Sequence, residues 1–130
     1  MSSLSDYAEK LLLEWLMTTG SATRPTAWYV GLFTAAPSDS GGGTEVSGNG
    51  YSRQTVAFDA ASSPGGTTSN SGAVTFTAAG GSWGTITHIG IFDASTSGNL
   101  LWHGAMTASK TIADGDTLEF AIGNIDLTLA

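Results

Sequence analysis

The sequence predicts a mainly β protein: an antiparallel β-sandwich or jelly-roll-like barrel of about eight strands, led by one N-terminal amphipathic helix. Three observations carry that expectation. Residues 116–122 alternate, sending Leu118, Phe120 and Ile122 to one side and Thr117, Glu119 and Ala121 to the other; residues 125–129 repeat the pattern with Ile125, Leu127 and Leu129 inward. A period of two puts one face on a core and the other in water. Glycine (18 of 130 residues), serine and threonine collect between the apolar runs, as they do where many short strands are joined by turns. Helical spacing is convincing in only one place, near the N terminus.

That leading helix is expected within residues 3–19. Its apolar stripe, over 4–17, is formed by Leu4, Tyr7, Ala8, Leu11, Leu12, Trp15 and Leu16, which recur at three and four residues. Ser3 or Ser5 is placed to cap its start, Asp6 and Glu9 sit favourably in the first turn, and Gly20 is placed to end it. Leu13 and Met17 widen the apolar arc beyond what a single contact face needs. Two uses follow: the helix plugs an open end of the β-domain, or its stripe docks on a partner. Tyr7, Leu11 and Trp15 are the interface candidates of the second use.

Extended segments are expected at 28–35, 51–58, 72–77, 85–93, 99–106, 109–112, 116–122 and 125–129. Ser97-Gly98-Asn99 reads as a hairpin, and Asp114-Gly115 is the strongest short turn. Two loops, 36–50 and 59–72, exceed ordinary hairpin length, the second carrying Pro64-Gly65-Gly66. They are either mobile surface or arms that order against a neighbouring subunit. The whole, 1–130, reads as one domain, with the β-sandwich occupying 27–130.

Charge narrows the function. Four basic residues face eleven acidic ones, giving a net charge of −7. Lys10, Arg24, Arg53 and Lys110 lie in four separate segments and make no stripe for phosphates, so neither direct nucleic-acid binding nor adhesion to an anionic membrane is expected. Without cysteine there is no disulfide framework and no thiolate nucleophile or metal ligand. Glu9, Lys10 and Glu14 interrupt the N-terminal apolar stretch, so no transmembrane span or secretory signal is read there and synthesis in a cytoplasm is expected.

Catalytic signatures are sparse. His88 and His103 lie in apolar strand patterns, His88 sharing a face with Ile86 and Phe92, and His103 with Leu101; no Gly-x-Ser-x-Gly elbow accompanies them. Such histidines are first packing residues with a hydrogen bond. Asp93 falls on the face opposite His88, which disfavours a shared zinc site, and Asp114-Gly115-Asp116 lacks the further ligands of a calcium loop. Gly41-Gly42-Gly43 has no lysine-serine/threonine closure and is no phosphate cradle. No cofactor or metal is expected. Of the four tryptophans, Trp83, in Gly81-Ser82-Trp83-Gly84, is the candidate for an exposed aromatic anchor.

The ordered motifs Ala27-Trp28-Tyr29-Val30-Gly31-Leu32-Phe33-Thr34-Ala35-Ala36-Pro37, Gly43-Thr44-Glu45-Val46 leading to Tyr51-Ser52-Arg53, Trp83-Gly84-Thr85-Ile86-Thr87-His88-Ile89-Gly90-Ile91-Phe92-Asp93, and Gly98-Asn99-Leu100-Leu101-Trp102-His103-Gly104 extend through nearly the whole chain. It resembles a family of small tailed-bacteriophage structural proteins labelled tail-fibre-like, some of them serving as capsid decoration. The resemblance implies a non-enzymatic, self-assembling virion protein whose partners are copies of itself, with three-fold closure expected, and major capsid or tail proteins. It also makes the Glu45 loop a family feature, with Arg53 pairing to Glu45; on a surface such a pair is worth about 0–1 kcal/mol. Capsid cement and tail fibre both remain open, and a carbohydrate-binding host-attachment module is the alternative from another class.

Overall fold

The computed structural model describes residues 2–129. One antiparallel sheet organises the chain. It contains β1 (Ser2–Leu4), β2 (Tyr29–Ala35), β3 (Thr44–Glu45), β4 (Gln54–Thr55), β7 (Gly84–Phe92) and β8 (Leu100–Ile112), in the order β1-β8-β7-β2-β3 with β4 also on β2. Two short ribbons complete the strands: β5 (Thr67–Ser69) with β10 (Asp126–Thr128), and β6 (Val74–Thr77) with β9 (Thr117–Phe120). The protein is mainly β with one helix, α1 (Asp6–Met17), near its N terminus.

The principal core lies between the main sheet and the ribbons. Val30 and Leu32 of β2 and Ile86 and Ile91 of β7 meet Val74 and Phe76 of β6, Leu118 and Phe120 of β9, and Ile125. In the β6–β9 ribbon the alternation is unbroken: Thr75 faces Glu119 and Thr77 faces Thr117 on the wet side, each pair joined at 3.2 Å. A second, smaller cluster of Phe33, Phe92 and Leu100 is separate from it. The registers Val30↔Ile91 and Gly31↔Gly90 place the two clusters on opposite faces of the sheet.

Several boundaries depart from the sequence expectation. Leu4 is strand rather than helix: Ser5 is extended, its amide donates to the Leu101 carbonyl, and α1 starts only at Asp6. The helix stops at Met17, ahead of Gly20, because Thr18 turns extended; its hydroxyl donates to the Glu14 carbonyl and accepts from the Gly20 amide. The segments expected at 99–106 and 109–112 form the single strand β8, whereas 51–58 keeps only β4 as a ladder. Both long loops contain short strands: β3 within 36–50 and β5 within 59–72.

Alternation also fails at two strand ends. β9 stops at Phe120, and Ile122 stands 66% exposed in the following turn. Buried Asn70 fixes that turn, its side-chain amide donating to the Ala121 and Gly72 carbonyls and its oxygen accepting from the Ile125 amide. Leu129 lies beyond β10 and is likewise exposed. In β7 a register shift between Ile86 and His88 separates residues read as sharing one face: Ile86 enters the principal core and Phe92 the smaller cluster.

Candidate functional site

Glu45 and Arg53, eight residues apart in sequence, are brought together by β3 and the approach to β4. Arg53 Nε donates to Glu45 Oε2 and Nη2 to Oε1, both at 2.8 Å, a bidentate pair. Nη1 reaches the Ala94 and Ser97 carbonyls at 2.9 and 2.8 Å, tying the pair to the turn between β7 and β8. The guanidinium carbon stands 3.5 Å from the centre of the Phe92 ring. This is not the solvated pair anticipated, since only 9% of the Arg53 side chain and 25% of Glu45 are exposed.

The space for this assembly comes from two glycines in mid-strand. Gly31 and Gly90 are register partners, and a Cβ on Gly31 would stand 2.9 Å from Glu45 Oε2 and 3.0 Å from Phe92. A Cβ on Gly90 would meet Leu100 at 2.8 Å and Phe33 at 3.0 Å. Mid-strand glycine marks a close approach of other groups, and here the missing side chains admit the carboxylate and the rings. Tyr51 completes the group: the Leu32 amide donates to its hydroxyl at 3.0 Å, and the hydroxyl donates to Glu45 Oε2 at 2.7 Å. Burial, and then the bond to Glu45, push the phenol well above its ordinary range. Tyr51 and Phe92 were not singled out from the sequence. The glycines inside apolar strands were the available signal.

Trp83 corrects the sequence expectation. It is 6% exposed, its indole N–H donates to the Asn49 carbonyl at 3.0 Å, and it meets Tyr51 edge-on at 5.5 Å. The residue is core, unavailable as an anchor or as a platform for a sugar. A ring flanked by small turn residues still goes inward when a strand begins beside it and its N–H finds a carbonyl.

The helix residues behave as a surface. Ala8 is the one described residue of α1 that is fully buried. Leu11 is half-buried and Tyr7 exposed; Leu11 and Trp15 line an apolar groove of about 290 Å³ with Leu12, Pro25, Trp28 and Trp102. Trp15 is 65% exposed, and Leu13, Leu16 and Met17 are exposed at 62%, 64% and 71%. The carboxylates of the helix are only partly compensated: Lys10 pairs with Glu14 at 2.8 Å, and no cation is within ion-pair distance of Asp6 or Glu9 among the described residues.

The histidines are held separately. His88 Nδ1 lies 2.8 Å from the Thr87 hydroxyl, and His103 Nε2 lies 2.7 Å from Asp39 Oδ1. The second contact fastens loop 36–50 to β8, and the Asp6 amide, donating to the Asp39 carbonyl, fastens the same loop to the start of α1. Among the described residues no group of three or more His, Asp or Glu side chains is placed to hold a metal ion, and no helix is long and apolar enough to cross a membrane. Chemically, these groups form a clasp and an apolar face.

Residues 3–128 match the model of a protein family described as podophage GP4 fiber I protein gp80. No curated protein matches the chain. The family match spans nearly the whole sequence, and the chain belongs to that family: it is a structural component of a phage virion.

Proposed function

We propose that this member of the podophage fibre family is a non-enzymatic building block of a fibre, displayed outside the particle and working through shape and repeated contacts rather than turnover. The observation that carries the reading is α1, which seats Ala8 on the sheet but leaves Leu13, Trp15, Leu16 and Met17 about two-thirds exposed. Leu13, Leu16 and Met17 share one side of the helix at three- and four-residue spacing, and exposed apolar groups gathered in this way mark an interaction site. In the assembled fibre that face packs against a neighbouring copy, and closed symmetry lets contacts of modest strength act together.

The clasp fits the same role. It fixes loop 36–50 and the 93–99 turn without a metal or a disulfide, so the subunit presents a defined outline to its neighbours. Immunogold labelling of intact particles with an antibody to this chain tests the assignment. Label along the fibres is expected; label scattered over the head would replace fibre with capsid decoration, and unlabelled particles would remove the virion role.

A further inference from the structure

α1 presents two apolar stripes. Ala8, Leu11, Leu12 and Trp15, at three- and four-residue spacing, line the groove of about 290 Å³ together with Trp28, on the approach to β2, and Trp102 of β8. Leu13, Leu16 and Met17 form the second stripe, an exposed ridge. At about 100° per residue the two stripes are centred roughly 140° apart, so a helix cannot turn its own ridge into its own groove. Each subunit therefore carries both a knob and a socket.

The size of the groove limits what fills it. Small-molecule sites occupy about 300–1,000 Å³; this one is at the bottom of that range, and its lining is aromatic and aliphatic with one charge, Arg24. Such a space suits a few aliphatic side chains of another chain. Arg24 is exposed, and no hydrogen bond or ion pair joins it to a described residue. The other cations are committed: Lys10 to Glu14, Arg53 to Glu45, and Lys110 to the Thr117 carbonyl. Two exposed carboxylates with no cation in ion-pair distance among the described residues belong to the ridge side of α1. Glu9 lies one turn before Leu13, and Asp6 one turn before Glu9.

Charge selects among the ways two copies can meet. Ridge on ridge would gather Asp6 and Glu9 of both helices, and groove on groove would oppose two Arg24 guanidinium groups. Ridge into groove sets opposite charges against each other. We propose that copies of this chain associate head to tail: the Leu13, Leu16 and Met17 ridge of one seats in the tryptophan-lined groove of the next, and Arg24 of the receiving copy meets Glu9 and Asp6 of the incoming helix. The contact is heterologous, so it builds a ring where the rotation closes and a filament where it does not. The inference rests on the packing of copies in the fibre reading and deepens it by naming the surface that receives the helix.

Sedimentation velocity on two variants and on their mixture tests this directly. Trp15→Glu with Arg24→Glu disables the groove, and Leu13→Glu with Leu16→Glu disables the ridge; all four positions are exposed, so both variants are expected to keep the circular dichroism of the native fold. Each variant alone is expected to sediment as single chains under conditions where the native chain is assembled. An equimolar mixture is expected to regain a species of two chains, one of each variant, because one retains a groove and the other a ridge. A groove variant that assembles like the native chain, or a mixture that stays as single chains, would overturn head-to-tail association and leave the packing of copies intact. Single native chains at every concentration would defeat that packing itself, and the proposal with it.

Discussion

Arg53 sits between a carboxylate, an aromatic ring and a turn, and each contact limits what can replace it. Removing it leaves Glu45 largely shielded from water and two turn carbonyls without their donor. Arg53→Ala is expected to lower unfolding free energy by about 2–3 kcal/mol in urea titrations, well above the worth of an exposed pair. Arg53→Lys should restore less than half of that, because an ammonium cannot bridge both carboxylate oxygens while stacking on Phe92. Tyr51 gives the same site a pH signature. Its phenol keeps a proton that the unfolded chain releases near the ordinary 10.0. Its contribution is therefore complete below about pH 10 and is lost as pH rises beyond that. Stability measured from pH 9 to 11 should fall more steeply for the native chain than for Tyr51→Phe; parallel profiles would contradict this. The family resemblance was enough to join Glu45 to Arg53. It could not reveal the burial, which depends on Gly31 and Gly90 coming opposite each other in the register of two distant strands.

Strand interiors were readable and strand ends were not. The runs at 74–77 and 117–120 alternate because each strand sees one core face throughout. Ile122 follows the same pattern in sequence, yet a turn pinned from elsewhere by Asn70 carries it into solvent. Likewise β8 looked like two strands because Thr107 and Ala108 in its middle are small and interrupt the apolar run, a composition that marks a turn as readily as a bulge. At the start of α1 the capping signal was correct, but Ser5 has a second task invisible to local pattern. Its hydroxyl accepts from the Ala8 amide at 3.1 Å and donates to the Leu100 carbonyl. Ser5→Ala should therefore cost about 1–3 kcal/mol, adding a buried unpaired carbonyl to a lost cap. Amide exchange across residues 6–17 should accelerate more than exchange in β7. Unchanged protection of the helix would mean that its seat does not depend on this serine.

For the molecule as a whole, composition indicated scaffold rather than catalyst, and the family match agrees with a structural role. What composition left open was which surfaces matter, because Leu11, Leu13, Trp15 and Met17 look alike until the sheet has taken the side it needs. Leu13→Glu combined with Leu16→Glu touches no buried contact of the subunit, so its unfolding free energy should stay within about 0.5 kcal/mol. Sedimentation velocity is expected to show an assembled species for the native chain and single chains for the double variant; an assembled species retained by the variant would place the proposed subunit contact elsewhere. If neighbours hold the subunit by its helix, as proposed, the pairing of β1 with β8 has a mechanical consequence. A pull on α1 arrives at Ser5, whose amide and hydroxyl grip adjacent carbonyls at the start of β8, and tension then runs along the longest strand. Ladder bonds lie across that strand's axis, so drag on the appendage loads many of them in shear together instead of peeling them apart one at a time.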